Sequence, residues 1–274
     1  MTLTTYPAIE QGTDEWFAAR CGIVTASVVG QLITKGSPDP VTVGCARCGA
    51  DPGSPCISTA RKVPTPIKTI HDERSAAASA LPPVYRPATG DMARTLALTL
   101  AAERITGHVE MVYPNRAMQR GTLDEPYARE VYSRTYAPAH EIGFMVRDYA
   151  GFKLGYSPDG LVGDDGLIEI KSREQKKHLA TVLADTVPAE NMAQIQAGLL
   201  VSGRAWCDYV SYCGGMPLWT KRVEPDQQWR EAILDAVAAF EATASEMIRA
   251  YTTLIGGRPE TERINHFPEL EIVF

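Results

Sequence analysis

The sequence predicts an α/β sandwich, a central mixed sheet flanked by helices, with a small segment inserted near its start. Three observations carry that expectation. Helical patterning at the front gives way to short strand-like runs, then a helix, further strands and a long amphipathic helix. In Leu167-Ile168-Glu169-Ile170-Lys171 polar and apolar side chains alternate, as on a strand with two unlike faces. Residues 35–87 are rich in Pro, Gly, Cys and Ser and lack periodicity, so they read as an insertion into a main domain of residues 1–34 and 88–274.

Taken in order, residues 13–20 predict a short helix with Thr13 as N-cap and Trp16, Phe17 and Arg20 on adjacent faces. A second helical stretch is expected over 25–33. After the insertion, helices are expected over 92–105, with Leu96, Leu100 and Ile105 on one flank, and over 123–132. Runs at 142–147, 152–156, 167–171, 207–212 and 218–223 carry β-branched and aromatic residues between Gly or Pro, and predict strands. Between the third and fourth lies a helix over 188–201, with Pro188 in its first turn and Gly203 as its stop. A final helix over 226–254 has Trp229, Ile233, Val237, Phe240, Met247 and Tyr251 as its expected buried stripe. The sequence shows no internal repeat.

At 274 residues, 45% hydrophobic and 22% charged, the chain has ordinary globular composition. Its net charge of -6 does not advertise nucleic-acid binding, so any DNA contact must come from local basic clusters. No window approaches ~20 uninterrupted apolar residues, so no membrane span is expected. Residues 1–10 lack a basic segment followed by an apolar core, and the expected location is the cytoplasm, where disulfides are disfavoured.

The densest chemistry lies in Ser157-Pro158-Asp159-Gly160 and, ten residues after the aspartate, Glu169-Ile170-Lys171. On a strand Glu169 and Lys171 share a face while Ile168 and Ile170 point into a core. A carboxylate pair beside an ammonium can hold a divalent cation and bias a water toward attack on phosphate. Each part alone has a plainer reading: Asp-Gly suits a turn for its own sake, and Glu169 and Lys171 would also suit the solvated face of an edge strand. Glu125, shortly after Gly121, offers a third carboxylate, or a helix acid favoured by the dipole. Gln194 and Gln196 cannot share a helical face, so one of them is expected at the site. Arg116, Arg120, Arg173, Lys176 and Lys177 suit phosphate contact or simply a solvated surface.

The six cysteines are uneven: Cys45, Cys48 and Cys56 crowd together while Cys21, Cys207 and Cys213 are isolated. Cys45-x2-Cys48-x7-Cys56-x14-His71 offers a Cys3His set, a standard shell for structural Zn²⁺. Residues 35–74 hold six Lys or Arg against four Asp or Glu, a net of +2 within an acidic chain. That leaves two readings for the zinc segment, a DNA contact or a staple ordering a loop too poor in apolar residues to fold alone. The segment resembles small zinc-binding modules of actinobacterial and phage proteins, with the form C-x2-C-G-A, G-x-P-C and H-x2-R.

Residues 9–27, from Ile9-Glu10-Gln11-Gly12 through Trp16 and Arg20 to Ser27, resemble the opening motif of the bacteriophage lambda exonuclease and YqaJ-like viral recombinase family. Residues 121–129, 157–171 and 192–196 resemble its later motifs in order and spacing. The resemblance covers 1–34 and about 88–225, leaving the insertion and the final helix outside. It implies a PD-(D/E)xK restriction-endonuclease-like fold and an exonuclease digesting double-stranded DNA ends, 5′-to-3′, to expose single strands for phage-type recombination. It further implies Mg²⁺ (or Mn²⁺) on Asp159, Glu169 and the Ile170 carbonyl. Lys171 would orient or activate water, with Glu125 and Gln194 supporting. Arg20 matches a family arginine that grips the DNA 5′-phosphate, with Ser27 nearby. By the same analogy the protein forms a homo-trimeric ring and works beside a single-strand annealing protein.

Two other readings compete. A Cas4/RecB-like nuclease with an iron–sulfur cluster would draw cysteines from late in the chain, where only Cys207 and Cys213 stand, and these read better as buried small hydrophobes. A non-catalytic zinc-dependent DNA-binding protein would be expected to have lost one of Asp159, Glu169 and Lys171.

Overall fold

The computed structural model describes residues 1–58, 60, 63–110 and 115–264. Residues 265–274 of the expected main domain, and 59, 61 and 62 of the expected insertion, lie outside these. The chain divides into two compact units, one of Met1–Leu32 with the described part of Pro87–Phe274, the other of Ile33–Arg86.

The first unit begins with β1 (Thr2–Tyr6), α1 (Asp14–Arg20) and β2 (Val24–Thr25). The Thr13 hydroxyl caps α1 by accepting from the Trp16 amide at 3.4 Å. The helix expected over 25–33 does not form. Thr25 ends β2 and only a 3₁₀ turn, Val29–Leu32, follows. Val28, Val29 and Gly30 in the middle of this stretch disfavour α-helical turns. The second unit supplies β3 (Ile33–Gly36), α2 (Asp72–Ser79) and β4 (Val84–Pro87), with β3 paired to β4.

The first unit resumes with α3 (Asp91–Thr106) and α4 (Arg116–Thr135). On α3, Leu96 and Leu100 are buried as expected, but Ile105 is exposed. The α4 helix starts well before residue 123, because the Asn115 side chain accepts from the Ala117 and Met118 amides, and it runs through Pro126. Then come β5 (Ala139–His140), β6 (Phe144–Tyr149), β7 (Phe152–Tyr156), β8 (Gly160–Val162) and β9 (Gly166–Ser172). They are followed by α5 (Gln175–Ala184), α6 (Ala189–Ser202), β10 (Trp206–Tyr212), β11 (Trp219–Val223) and α7 (Gln227–Ile255).

Among the described residues the strands of the first unit form two mixed sheets, ordered β1-β6-β7-β2 and β11-β10-β9-β8-β5. In the second, β9 runs parallel to β10 and antiparallel to β8, so the Glu169–Lys171 strand is interior, not an edge. Its Ile168 and Ile170 pack with Val162 and Val210 against Ala128 and Tyr132 of α4. The α6 helix crosses β7 closely enough that a Cβ on Gly198 would lie 2.7 Å from the Tyr156 ring. On α7 the buried stripe runs through Ile233, Val237, Phe240 and Ala244 and ends there, since Tyr251 is exposed. No helix among the described residues is long and apolar enough to cross a membrane.

Candidate active site

Strand β9 delivers Glu169 and Lys171 to one face, as the alternation requires. Glu169 is 0% exposed, which removes the solvated-edge reading. A buried carboxylate is tolerated only if paired. Lys171 Nζ lies 2.7 Å from Glu169 Oε1, an ion pair without hydrogen-bond geometry, since that oxygen has no hydrogen-bond partner among the described residues. The Tyr156 hydroxyl donates to Glu169 Oε2 at 3.4 Å. Lys171 Nζ also donates to Gln194 Oε1 on α6 at 3.1 Å. Gln196 points elsewhere, donating to the Glu224 carbonyl and accepting from the Asp226 amide.

Asp159 enters from the turn before β8, where its Oδ2 accepts from the Ile170 amide at 2.6 Å. Burial, then the charges of Glu169 and Glu125, push its carboxyl well above the usual carboxylate range, against Lys171 and the Ile170 amide. Burial also raises Glu125, with Glu141 and Glu169 adding to it and Arg129 opposing. Burial works to lower Lys171, but the charges of Glu169 and Asp159 outweigh it and hold the ammonium above its ordinary range. Three crowded carboxylates with an unsatisfied buried oxygen fit a divalent cation, whose charge would relieve all three.

A cavity of about 310 Å³ is lined by Arg20, Ser27, Glu125, Asp159, Lys171 and Gln194, bringing six expected residues together, with Ile170 also on its wall. It shares Trp16, Arg20 and Glu125 with a larger cleft of about 970 Å³. Arg20 donates to Thr25 Oγ1 at 3.4 Å, and Thr25 and Ser27 share a hydroxyl contact of 3.1 Å. Arg116, Arg173, Lys176 and Lys177 do not line this cavity. Arg116 is exposed at the start of α4, and Lys176 and Lys177 are exposed on α5. Arg120 donates to Ser172 Oγ at 3.0 Å. Arg173 is engaged within the protein, by the Tyr209 hydroxyl at 2.7 Å, Asn191 at 2.5 Å and Glu190 at 3.4 Å.

Arg129 is the residue sequence reasoning passed over. Its guanidinium pairs with Glu125, donates to the Asp159 carbonyl at 2.6 Å and reaches Glu141 at 2.8 Å. The available signal was its i,i+4 spacing from Glu125 on one helix face.

In the second unit the Cys45, Cys48 and Cys56 thiols and a ring nitrogen of His71 lie within 4.8 Å of one another. Among the described residues it is the one set of three or more His, Cys, Asp or Glu donors gathered so tightly. His71 is the N-cap of α2 and presents Nδ1 3.4 Å from Cys45 Sγ. The backbone amide of His71 and the Arg74 guanidinium outweigh burial and draw Cys56 down to about 7, toward the thiolate that binds metal. Arg74 is fully buried and donates to the carbonyls of Val41, Val43, Asp51 and Ser54 as well as to Cys56 Sγ. The cluster could bind zinc. Cys207 and Cys213 are buried apart from it, on β10 and just after.

Residues 15–205 match the model of the YqaJ-like viral recombinase domain. Among solved structures, LHK-Exo in complex with dAMP is 30% identical, with a TM-score of 0.59 over 88% of this chain and 97% of that one. A second structure of this alkaline exonuclease, from Laribacter hongkongensis, is 30% identical with a TM-score of 0.56, over 88% of this chain and 100% of that one. A phage related exonuclease from Haemophilus somnus, 12% identical with a TM-score of 0.50 over 84% and 96% of the two chains, shares the fold. No curated protein matches the chain.

Proposed function

The chain belongs to the YqaJ-like viral recombinase family, and from that premise we propose that it is a Mg²⁺-dependent exonuclease digesting double-stranded DNA ends 5′-to-3′, exposing single strands for recombination by annealing. The observation that carries the reading is Glu169, wholly buried on an interior strand beside Lys171, with Asp159 bonded to the next amide along. Such burial is costly for a structural carboxylate and sensible for a metal ligand.

Asp159, Glu169 and the Ile170 carbonyl would hold Mg²⁺, or Mn²⁺ in its place. Bound there, a divalent cation supplies Lewis-acid polarisation of the phosphate and a more acidic water. The chain's own residues do the rest. Lys171 keeps a fixed positive charge where the phosphorane develops, and Gln194 holds its ammonium in place. Glu125 completes the acidic shell. Arg20, with Ser27 beside it, takes the terminal 5′-phosphate, while Arg116, Arg120, Lys176 and Lys177 contact the backbone of the duplex. Arg173 reaches DNA only by giving up its exposed partner Glu190. Zn²⁺ on Cys45, Cys48, Cys56 and His71 is structural. A homo-trimer and a single-strand annealing partner complete the proposal, within the cytoplasm of a host cell.

The test is digestion of linear duplex DNA labelled at either end, with and without a 5′-phosphate, in Mg²⁺. Release of mononucleotides from the 5′ label first supports the reading. Release from the 3′ label first, or circular DNA cut equally well, overturns it.

A further inference from the structure

Trp16 makes two contacts that meet in the cavity. The Arg20 guanidinium carbon sits 4.1 Å from the centroid of its ring, a cation–π contact. Its Nε1–H donates to Ser157 Oγ at 2.9 Å, in the turn that delivers Asp159. The indole itself has little freedom. It is 7% exposed, packs with Phe144 and Val146, and meets Phe17 edge-on at 5.0 Å. A buried indole N–H needs an acceptor, and here that acceptor is a side chain 141 residues away. One rigid plate therefore joins the arginine of α1 to the turn carrying a metal-site carboxylate.

We infer that Trp16 is a positioning residue: it fixes the separation between the Arg20 anion site and Asp159, so that a terminal phosphate held by Arg20 sets the next phosphodiester against the carboxylates. The inference rests on Arg20 as the 5′-phosphate contact. A loosened tie would leave the phosphate bound but out of register. Misregister is felt in the chemical step, because near-attack alignment is lost while binding contacts persist.

Trp16→Phe keeps the aromatic face under Arg20 and removes the N–H. Ser157→Ala removes the acceptor from the other end, and its half-buried position keeps the test open should Trp16→Phe fail to fold. Each is assayed for kcat and KM on duplexes ending in 5′-phosphate or 5′-hydroxyl. Each variant should lower kcat on phosphorylated ends about three- to ten-fold, the worth of one hydrogen bond, with KM for those ends within about twofold of wild type. The phosphate-to-hydroxyl rate ratio falls accordingly. Ser157→Thr, which keeps a hydroxyl, should restore the ratio, and the double variant should be no worse than the worse single. A wild type that prefers the phosphate, with that ratio unmoved in both variants or moved through KM, overturns the inference alone. A wild type indifferent to the phosphate overturns the Arg20 reading and the inference with it.

Discussion

Arg129 Nε donates to the main-chain oxygen of Asp159 at 2.6 Å while the same guanidinium pairs with the Glu125 carboxylate four residues earlier on α4. One cation thus fixes the backbone of one metal-candidate acid and the side chain of another, contributed by different elements. It also offsets part of the repulsion that raises Glu125, a group pushed up by burial and by Glu141 and Glu169. A planar fork can do this where an ammonium cannot.

Arg129→Lys should therefore weaken metal binding more than folding. Residues that orient metal ligands cost about 10- to 100-fold in affinity or activity when changed. The measurement is the Mg²⁺ concentration giving half-maximal digestion, beside a thermal melt. A variant with a wild-type Mg²⁺ requirement removes Arg129 from this role.

Lys171→Met should abolish digestion and also destabilise the fold, since Glu169 would be left as a buried charge without its partner. Breaking a buried pair from one side costs about 3–5 kcal/mol, whereas replacing both partners is often neutral. Denaturant unfolding should show that loss in Lys171→Met and its recovery in Glu169→Gln/Lys171→Met, with both variants inactive. Equal stability of the single and double variants would show that the pair is not coupled.

Strand β9 was legible because its message is local. Period-two alternation put Glu169 and Lys171 together and Ile168 and Ile170 opposite, and β9 has that arrangement. Gln194 and Gln196 were separable for the same reason, being two apart on a helix. What did not show was anything set by distant partners. No element was expected over 175–184, where α5 buries His178 against Ser211 and the Pro217 carbonyl. Strand β1, exposed at every position but Leu3, is defined by its pairing to β6 and not by a pattern of its own. The partners of Arg173 were hidden likewise, because Tyr209 and Asn191, which hold it, lie on other elements. Arg74 entered only as the last residue of the H-x2-R form, and its full burial did not show.

Arg74→Met should disorder the second unit even with zinc supplied. The side chain satisfies four backbone carbonyls in a unit whose apolar cluster is little more than Cys45, Ala50 and Cys56 with Cys48 and Ile67 around them. A hydrogen bond from a charged donor contributes about 1.5–3 kcal/mol, more than so small a core can replace. Limited proteolysis should cut within residues 33–86 in this variant and in chelator-treated wild type, but not in untreated wild type. Protection equal to wild type would assign Arg74 no structural role.

Zinc retention should depend on pH through the thiols. Cys56 is drawn down to about 7 by the His71 amide and Arg74 against burial, while burial foremost pushes Cys45 above the ordinary thiol range. Metal binds thiolate, so a thiol still protonated must give up its proton. Above pH 7 Cys56 is already a thiolate and gives up no proton on binding, whereas Cys45 still must. Below that point Cys56 releases one too, and affinity should fall more steeply, by roughly a further tenfold per pH unit for that ligand alone. Competition with a chromophoric chelator between about pH 5.5 and 8 reads the slope. A slope that does not steepen below pH 7 would show that Cys56 is not a metal-binding thiolate, and replacement by Ser should then leave zinc content unchanged.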